Sequence, residues 1–129
     1  MKAILSNYRQ SPRKVRVVAN LVKGRKVADA LGELAHLPKR AAGPIEKLIL
    51  SAVSNAKQAN MEGENLFVKE IRVDGGVVMK RSMPRAFGRA SAIRKRTSHL
   101  ILILDDIKNM KKKGKNKNHV STSTPVATK

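Results

Sequence analysis

The chain has 129 residues, of which 28 are Lys or Arg and 9 are Asp or Glu, giving a formal net charge of +19 at pH 7. This length fits one domain, and so large a positive charge indicates a polyanionic partner. The sequence has no Cys, which excludes disulfides and thiolate metal sites, and its 3 His are scattered. The apolar run Ala3-Ile4-Leu5 is too short for a signal-peptide core, and no segment approaches the roughly 18 apolar residues of a membrane span. We therefore expect no metal, no cofactor, no membrane partner and a cytoplasmic location.

The acidic residues leave two long stretches of the chain without any negative charge. One runs from Met1 to Ala28 and the other from Gly75 to Leu104, and both are rich in Lys and Arg. A basic surface that lacks internal carboxylates is typical of one that faces phosphate groups. These two stretches are the predicted phosphate-facing surfaces.

The first predicted elements are a short edge strand over Lys2 to Tyr8 and a helix that begins at Ser11-Pro12. Ser is a frequent N-cap residue, and proline suits the first helical position because its missing N–H is not needed there. Gly24 is a natural C′ residue at the far end of this helix. The apolar face of the helix consists of Val15, Val18 and Val22.

Two further helices are predicted before the middle of the chain. A short helix starting near Val27 must end before Pro38. A longer helix is predicted from about Pro44 to Ala59, because its apolar residues follow helical spacing better than those of any other segment. The apolar positions are Val27, Leu31, Leu34 and Ala35 in the first and Ile45, Leu48, Ile49, Ala52, Val53 and Ala56 in the second.

The second half of the chain has two segments with the residue patterns of β-strands. The segment from Phe67 to Val73 predicts a half-buried strand with Phe67, Ile71 and Val73 on one face. The apolar run from Leu100 to Leu104 predicts a strand that is well covered by helices. We expect these two strands to pair as the base of a hairpin.

Between these strands, the segment from Val77 to Thr97 is basic and has too little apolar surface to form its own core. It must project from the body as a hairpin arm on the order of 40 Å long. Its tip is predicted within Pro84 to Ala90, and Gly75-Gly76 at its entry indicates a bulge or bend. We predict one domain at 1–108 that binds a polyanion, with the extended hairpin at about 75–98, and a disordered basic tail at 109–129.

Several motifs of the chain resemble those of the bacterial large-subunit ribosomal protein twenty-two family. They occur in order, with the spacing of the family, and span nearly all of the chain from Met1 to Asp106. The matching motifs are Ser11-Pro12-Arg13-Lys14-Val15-Arg16, Ser51-Ala52-Val53-Ser54-Asn55-Ala56, Met79-Lys80-Arg81, Pro84-Arg85-Ala86-Phe87-Gly88-Arg89-Ala90 and Lys95-Arg96-Thr97-Ser98-His99. The Ser/Thr-rich tail lies outside the resemblance, and Gly43-Pro44 is expected to delay or kink the third helix.

The resemblance implies an α+β fold of β-α-α-α-β-β order, with three helices on a small antiparallel sheet and a long protruding basic hairpin. It also implies a non-enzymatic structural protein of the large ribosomal subunit that binds 23S ribosomal RNA and supports assembly. The hairpin then lines the nascent-peptide exit tunnel. The implied partners are that RNA, neighbouring ribosomal proteins and the nascent polypeptide, with the protein itself monomeric in the ribosome.

The candidate RNA contacts are mainly cations of the two acid-free stretches, where Arg suits bidentate contact with phosphate. Only 2% of the residues are aromatic, which favours recognition of folded RNA by shape and backbone over base stacking. The candidate contacts are Arg9, Ser11, Arg13, Lys14, Arg16, Lys23, Arg25, Lys26, Lys80, Arg81, Arg85, Arg89, Arg94, Lys95, Arg96, Thr97 and His99. The candidate tunnel-lining residues of the tip are Met83, Pro84, Ala86, Phe87, Gly88 and Ala90.

Other functions are weaker alternatives. An architectural DNA-binding protein also uses a basic β-ribbon arm, and Met83-Pro84-Arg85 fits a minor-groove wedge. Ser98, His99 and Asp105 are the residue types of a hydrolase triad, but no pocket or oxyanion hole is indicated. Phe87 could stack on a nucleotide, line the tunnel or be idle.

Overall fold

The described part of the chain forms three strands and three helices, in the order of one strand, three helices and two long strands. The structure is a computed structural model, and it describes residues 1–60 and 65–106. The strands form one antiparallel sheet in the order β1-β3-β2, which confirms the predicted α+β fold. The elements are β1 Lys2–Tyr8, α1 Pro12–Val22, α2 Val27–His36, α3 Ala42–Gln58, β2 Leu66–Pro84, a 3-10 turn Ala86–Gly88 and β3 Ala90–Asp106.

Helix α1 begins at Pro12, as its sequence predicts. Ser11 has an extended backbone, with φ −63° and ψ 133°, but its side chain makes no capping hydrogen bond. Gly24 adopts the left-handed conformation expected of a C′ residue, with φ +80°. Its N–H donates to the Val68 carbonyl oxygen over 2.8 Å, so the turn after α1 is attached to β2.

Helices α2 and α3 differ from their predictions in detail. Helix α2 ends before Pro38 as expected, but Ala35 is exposed and Ala30 is buried in its place. The expected delay of the third helix at Gly43-Pro44 is wrong, because α3 begins at Ala42 and runs continuously to Gln58. Pro44 lies in the first turn, where no intrahelical N–H bond is lost.

Strand β3 is the centre of the sheet. The sequence predicts that helices cover its apolar run well, but among the described residues only one face of this run is covered. Leu100, Leu102 and Leu104 are buried in one core with residues of the three helices. Ile101 and Ile103 alternate with them and are only half-buried. In the described chain, the helices therefore cover one face of this sheet.

Strand β2 contains a bulge that its sequence pattern does not reveal. The pairing of β2 with β3 shifts by one residue at Lys69. Before the shift Val68 faces the core, and after it Ile71 and Val73 do so. Phe67 is buried outside this core cluster, so the prediction that it shares a face with Ile71 and Val73 is wrong.

Beyond the body, β2 and β3 continue as a two-stranded arm. Their pairing extends to Pro84 and Ala90, and the turn at Ala86–Gly88 closes the hairpin within the predicted tip. From Val77 to Arg96 no residue is buried. The arm therefore has no core of its own, as its composition predicts.

The arm joins the body where bulges on both neighbouring strands face β3. The register of β1 shifts between Leu5 and Tyr8, and that of β2 shifts between Gly75 and Val78, which confirms the predicted bulge. We call this region, with Thr97 to His99 at its centre, the arm base. A bulge increases local twist and bends a strand, so paired bulges set the direction in which the arm leaves the sheet.

Candidate nucleic-acid interface

A concave surface with a volume of about 820 Å³ lies between the start of α1 and the outward part of β3. We call it the basic groove. Its lining contains six cationic side chains and no carboxylate. The lining residues are Arg9, Gln10, Ser11, Lys14, Arg40, Arg94, Lys95 and Arg96.

The basic groove is formed by segments that are far apart in the sequence. Arg9 follows β1, Lys14 lies in the first turn of α1 and Arg40 precedes α3. The Tyr8 hydroxyl lies 2.7 Å from Gln10 Oε1 and 3.2 Å from the Arg40 carbonyl oxygen. One phenol thus joins the turn before α1 to the turn before α3, and brings their cations to the same surface.

The groove continues around the N-terminus of α1. A second cleft there is lined by Ser11, Pro12, Arg13, Arg16 and Arg96. The first N–H groups of a helix have no intrahelical partners and carry partial positive charge, which favours a bound anion. Within the part of the chain that the structure describes, no cation of the basic groove forms an ion pair.

Arg16 is held by the body, unlike its neighbours. Its Nε and Nη2 atoms donate to the Val73 carbonyl oxygen over 3.2 and 2.9 Å. Its side chain therefore links α1 to β2. Arg72, on the sheet, is also engaged: its Nε donates a hydrogen bond to Asp74 Oδ1, and this bond and the charge of that carboxylate raise the pKa of the guanidinium.

The predicted contacts Lys23, Arg25 and Lys26 lie outside the basic groove, in the turn between α1 and α2. All three are exposed. Arg25 forms an ion pair with Glu33 of α2, so it faces a carboxylate of its own chain. The sequence stretch that looked uniformly basic is thus divided between two surfaces.

Thr97 and His99 also differ from the exposed cations. Thr97 is buried, and its hydroxyl donates to the Val77 carbonyl oxygen over 2.7 Å. His99 Nδ1 accepts the Asn7 N–H over 3.2 Å. Both side chains bridge strands at the arm base.

The remaining predicted cations of the arm are all exposed. They are Lys80, Arg81, Arg85 and Arg89. The predicted tip residues are exposed as well, and Phe87 is 100% exposed with φ 59°. The six tip residues are Met83, Pro84, Ala86, Phe87, Gly88 and Ala90.

Two residues of the basic groove, Gln10 and Arg40, were missed by the sequence reasoning. Arg40 lies outside both acid-free stretches, so a search for long basic runs does not find it. The local run Pro38-Lys39-Arg40 before a helix is the signal that could have drawn attention to it. The contribution of Arg40 depends on the contact between Tyr8 and the turn that contains it.

The geometry gives no support to a hydrolase triad. Ser98 is buried, and Asp105 binds Lys69 with an O–N distance of 2.6 Å. His99 and Asp105 are separated along one strand by about 20 Å, at roughly 3.3 Å per residue. The described residues contain no cluster of His, Asp or Glu that could hold a metal ion, and none of their helices is long and apolar enough to cross a membrane.

Comparisons with known proteins place the chain in a protein family. Residues 3–105 match the family described as ribosomal protein L22p/L17e. The large ribosomal subunit protein uL22 of Herpetosiphon aurantiacus is 54% identical over 106 residues, covering 81% of this chain and 94% of the relative. The proteins of the same name from Flavobacterium johnsoniae and Trichlorobacter lovleyi are 50% and 52% identical, covering 83% and 82% of this chain and 81% and 95% of the relatives.

Proposed function

Since the chain belongs to the ribosomal protein L22p/L17e family and is a structural, non-enzymatic protein of the large ribosomal subunit, we propose that it binds 23S ribosomal RNA and lines the peptide exit tunnel. The basic groove and the arm hold the RNA and support assembly, and the tip faces the tunnel. Residues 1–108 act as one RNA-binding domain, monomeric in the ribosome. The tail at 109–129 lies outside the described residues.

The observation that supports RNA binding best is the convergence of unpaired cations in the basic groove. Six cations surround a concave surface without a carboxylate, next to the N-terminus of α1. Such a surface costs free energy through like-charge repulsion unless anions occupy it. Phosphates of a folded RNA fit this requirement, because two or more backbone segments can enter the groove together.

The proposed RNA contacts follow from exposure and the absence of ion pairs. We propose that the cations of the basic groove make the densest contacts, and that the cations of the arm extend them outward. We place Thr97 at the arm base as a residue that orients the arm, because its hydroxyl is already bonded to Val77. Family membership also leaves the alternative of architectural DNA binding without support.

This proposal can be tested with full-length 23S RNA and two matched variants. Arg94→Gln combined with Arg96→Gln removes two charges from the basic groove. Lys47→Gln combined with Lys57→Gln removes two exposed charges from α3. The groove variant should bind more weakly and lower the slope of log affinity against log salt by about 1.4 to 1.8, while the α3 variant should not. Equal loss in both, or equal competition by duplex DNA, would contradict the proposal.

The proposed tunnel role depends on the tip. Its six predicted residues are exposed and contribute nothing to the core, although most are small or apolar. The sequence thus places apolar surface where this chain cannot bury it. A confined wall, formed jointly with RNA, is a setting in which such residues contact a passing polypeptide.

The tunnel role can be tested by deleting Met79 to Arg81 in ribosomes. These residues pair with Lys95, Arg94 and Ile93, so their loss shortens one strand and shifts the register of the arm. Subunits should still assemble, but macrolide sensitivity and stalling by arrest peptides should change. Lys80→Gln combined with Arg81→Gln removes the same two charges but keeps the strand at its full length, and this variant should leave stalling unaltered. If assembly collapses while stalling in the surviving ribosomes is unaltered, the arm is a structural anchor and the tunnel-lining role is wrong.

A further inference from the structure

A second groove, with a volume of about 680 Å³, lies on the outer side of α1 and α2. Its lining differs from that of the basic groove, because it contains two carboxylates and apolar side chains beside Arg25. Val17, one helical turn before Leu21, is 63% exposed. The lining residues are Leu21, Arg25, Asp29, Gly32, Glu33, His36 and Leu37.

We propose that this α1–α2 groove docks a basic segment of a neighbouring protein in the same subunit, an inference that rests on the proposed ribosomal function. The segment places an Arg or Lys beside Asp29 and Glu33, and an apolar side chain against Leu21 and Leu37. Phosphate is disfavoured here because two carboxylates oppose one guanidinium.

The hydrogen bonding of the acidic residues supports a cationic partner. Asp29 is exposed and forms no ion pair within the described part of the chain. Glu33 binds Arg25 through Oε1, whereas its Oε2 is buried without a hydrogen-bond partner among the described residues. The two carboxylates therefore have accepting capacity that the described residues do not use.

The shape of the groove supports a polypeptide partner. A Cβ built on Gly32 meets no atom within 4 Å, so the surface of α2 is open at the middle of the groove. Leu21 and Leu37 are half-buried at its margins. Apolar contact combined with one desolvated charge pair is typical of protein interfaces, while contacts to RNA are mainly to phosphate and sugar.

The experiment uses photocross-linking in purified large subunits that contain the full-length chain. Gly32→p-benzoylphenylalanine places the probe in the α1–α2 groove, at a position where a Cβ meets no atom within 4 Å, and Lys95→p-benzoylphenylalanine places it in the basic groove. We expect the Gly32 probe to join a ribosomal protein at a segment that combines Lys or Arg with apolar residues. We expect the Lys95 probe to join RNA.

A matched pair of charge reversals tests the role of the carboxylates. Adding Asp29→Lys to the Gly32 probe should lower the yield of the protein adduct at least about fivefold, whereas Glu46→Lys on α3 should leave it unchanged. If the Gly32 probe joins RNA, an acidic protein segment or nothing while the Lys95 probe joins RNA, the inference fails and the RNA-binding function stands. If the Lys95 probe also joins no RNA, the RNA-binding proposal fails as well.

Discussion

The inner and outer halves of strands β2 and β3 form one continuous ladder, yet they are stabilised in different ways. Toward the body, Val68, Ile71 and Leu102 are buried beneath the helices. Beyond the arm base, the same two strands bury no side chain from Val77 to Arg96. Backbone pairing alone is marginal in water, so we expect the arm, unlike the body, to need a binding partner to hold a defined position.

The largest expected effect is that of salt concentration, which should act differently on RNA binding by the basic groove and the arm and on the thermal stability of the body. If the basic groove and the arm neutralise about 6 to 10 phosphates, RNA affinity should fall roughly 10³- to 10⁵-fold between about 50 and 200 mM salt. The melting temperature of the free protein should instead rise modestly over that range, because salt screens the repulsion among its cations and leaves the apolar burial of the body unaffected. Filter binding and circular dichroism measure the two effects. A flat binding titration would show that phosphate contacts do not dominate.

A charge in the core should affect the body alone. Ala52 is 0% exposed on α3, so Ala52→Asp should lower the free energy of unfolding by about 3 to 5 kcal/mol. Ser51→Asp, on the exposed side of the same helix, should change it by less than about 0.5 kcal/mol. Chemical denaturation measures both variants. Equal stability of the two would contradict the assignment of the buried face of α3.

At the arm base, replacing each of the two neighbouring glycines with alanine should change the stability of the protein by different amounts. A Cβ on Gly76 would lie 2.5 Å from Thr97 Oγ1 and 2.8 Å from His99 Nε2, whereas one on Gly75 meets nothing within 4 Å. Gly76→Ala should therefore cost about 1 to 3 kcal/mol through crowding. Gly75→Ala should leave stability unchanged or raise it by up to about 1 kcal/mol. Hydrogen exchange of the Val77 and Thr97 amides would locate the loss, and equal exchange in both variants would rule out this close approach.

Substitutions at the hairpin tip should have the smallest effects on the stability of the body. Phe87 is fully exposed in a left-handed conformation, so Phe87→Gly removes local strain of roughly 1 kcal/mol without removing buried surface. Gly88→Ala should add similar strain, because Gly88 has φ +67°. Neither should shift the unfolding transition of the body by more than about 0.5 kcal/mol. A clear shift would mean that arm and body unfold as one cooperative unit.

The sequence predicts most of the elements because periodicity and turn residues act locally. Pro12 and Gly24 mark the ends of α1, and the apolar spacing of α3 identifies its buried face. The bulge at Lys69 has no such local signal, since Lys69 looks like one more exposed residue of an alternating strand. It is determined by the pairing of β2 with the rest of the sheet, which reverses the expected orientation of Phe67.

The candidate site is predictable in part for a similar reason. The cations of Arg94 to Arg96 stand out as part of a long acid-free stretch. Their meeting with Arg40 depends on the tertiary contact that Tyr8 makes. Conversely, Arg25 belongs to an acid-free stretch but pairs with Glu33, eight residues later, once α2 has formed. Charge counts identify basic segments, and only the fold divides them between surfaces.

The central position of β3 has a consequence for the synthesis of this chain. Among the described strands β3 is translated last, yet both β1 and β2 pair with it. The Met1 N–H₃⁺ group donates to the Leu104 carbonyl oxygen, 103 positions along the chain. At roughly 5 to 20 residues per second, β1 waits about 5 to 20 seconds for its neighbour to be made. During that interval the helices can form, but the sheet cannot, so a newly made chain exposes a basic, half-folded surface until translation of β3 is complete.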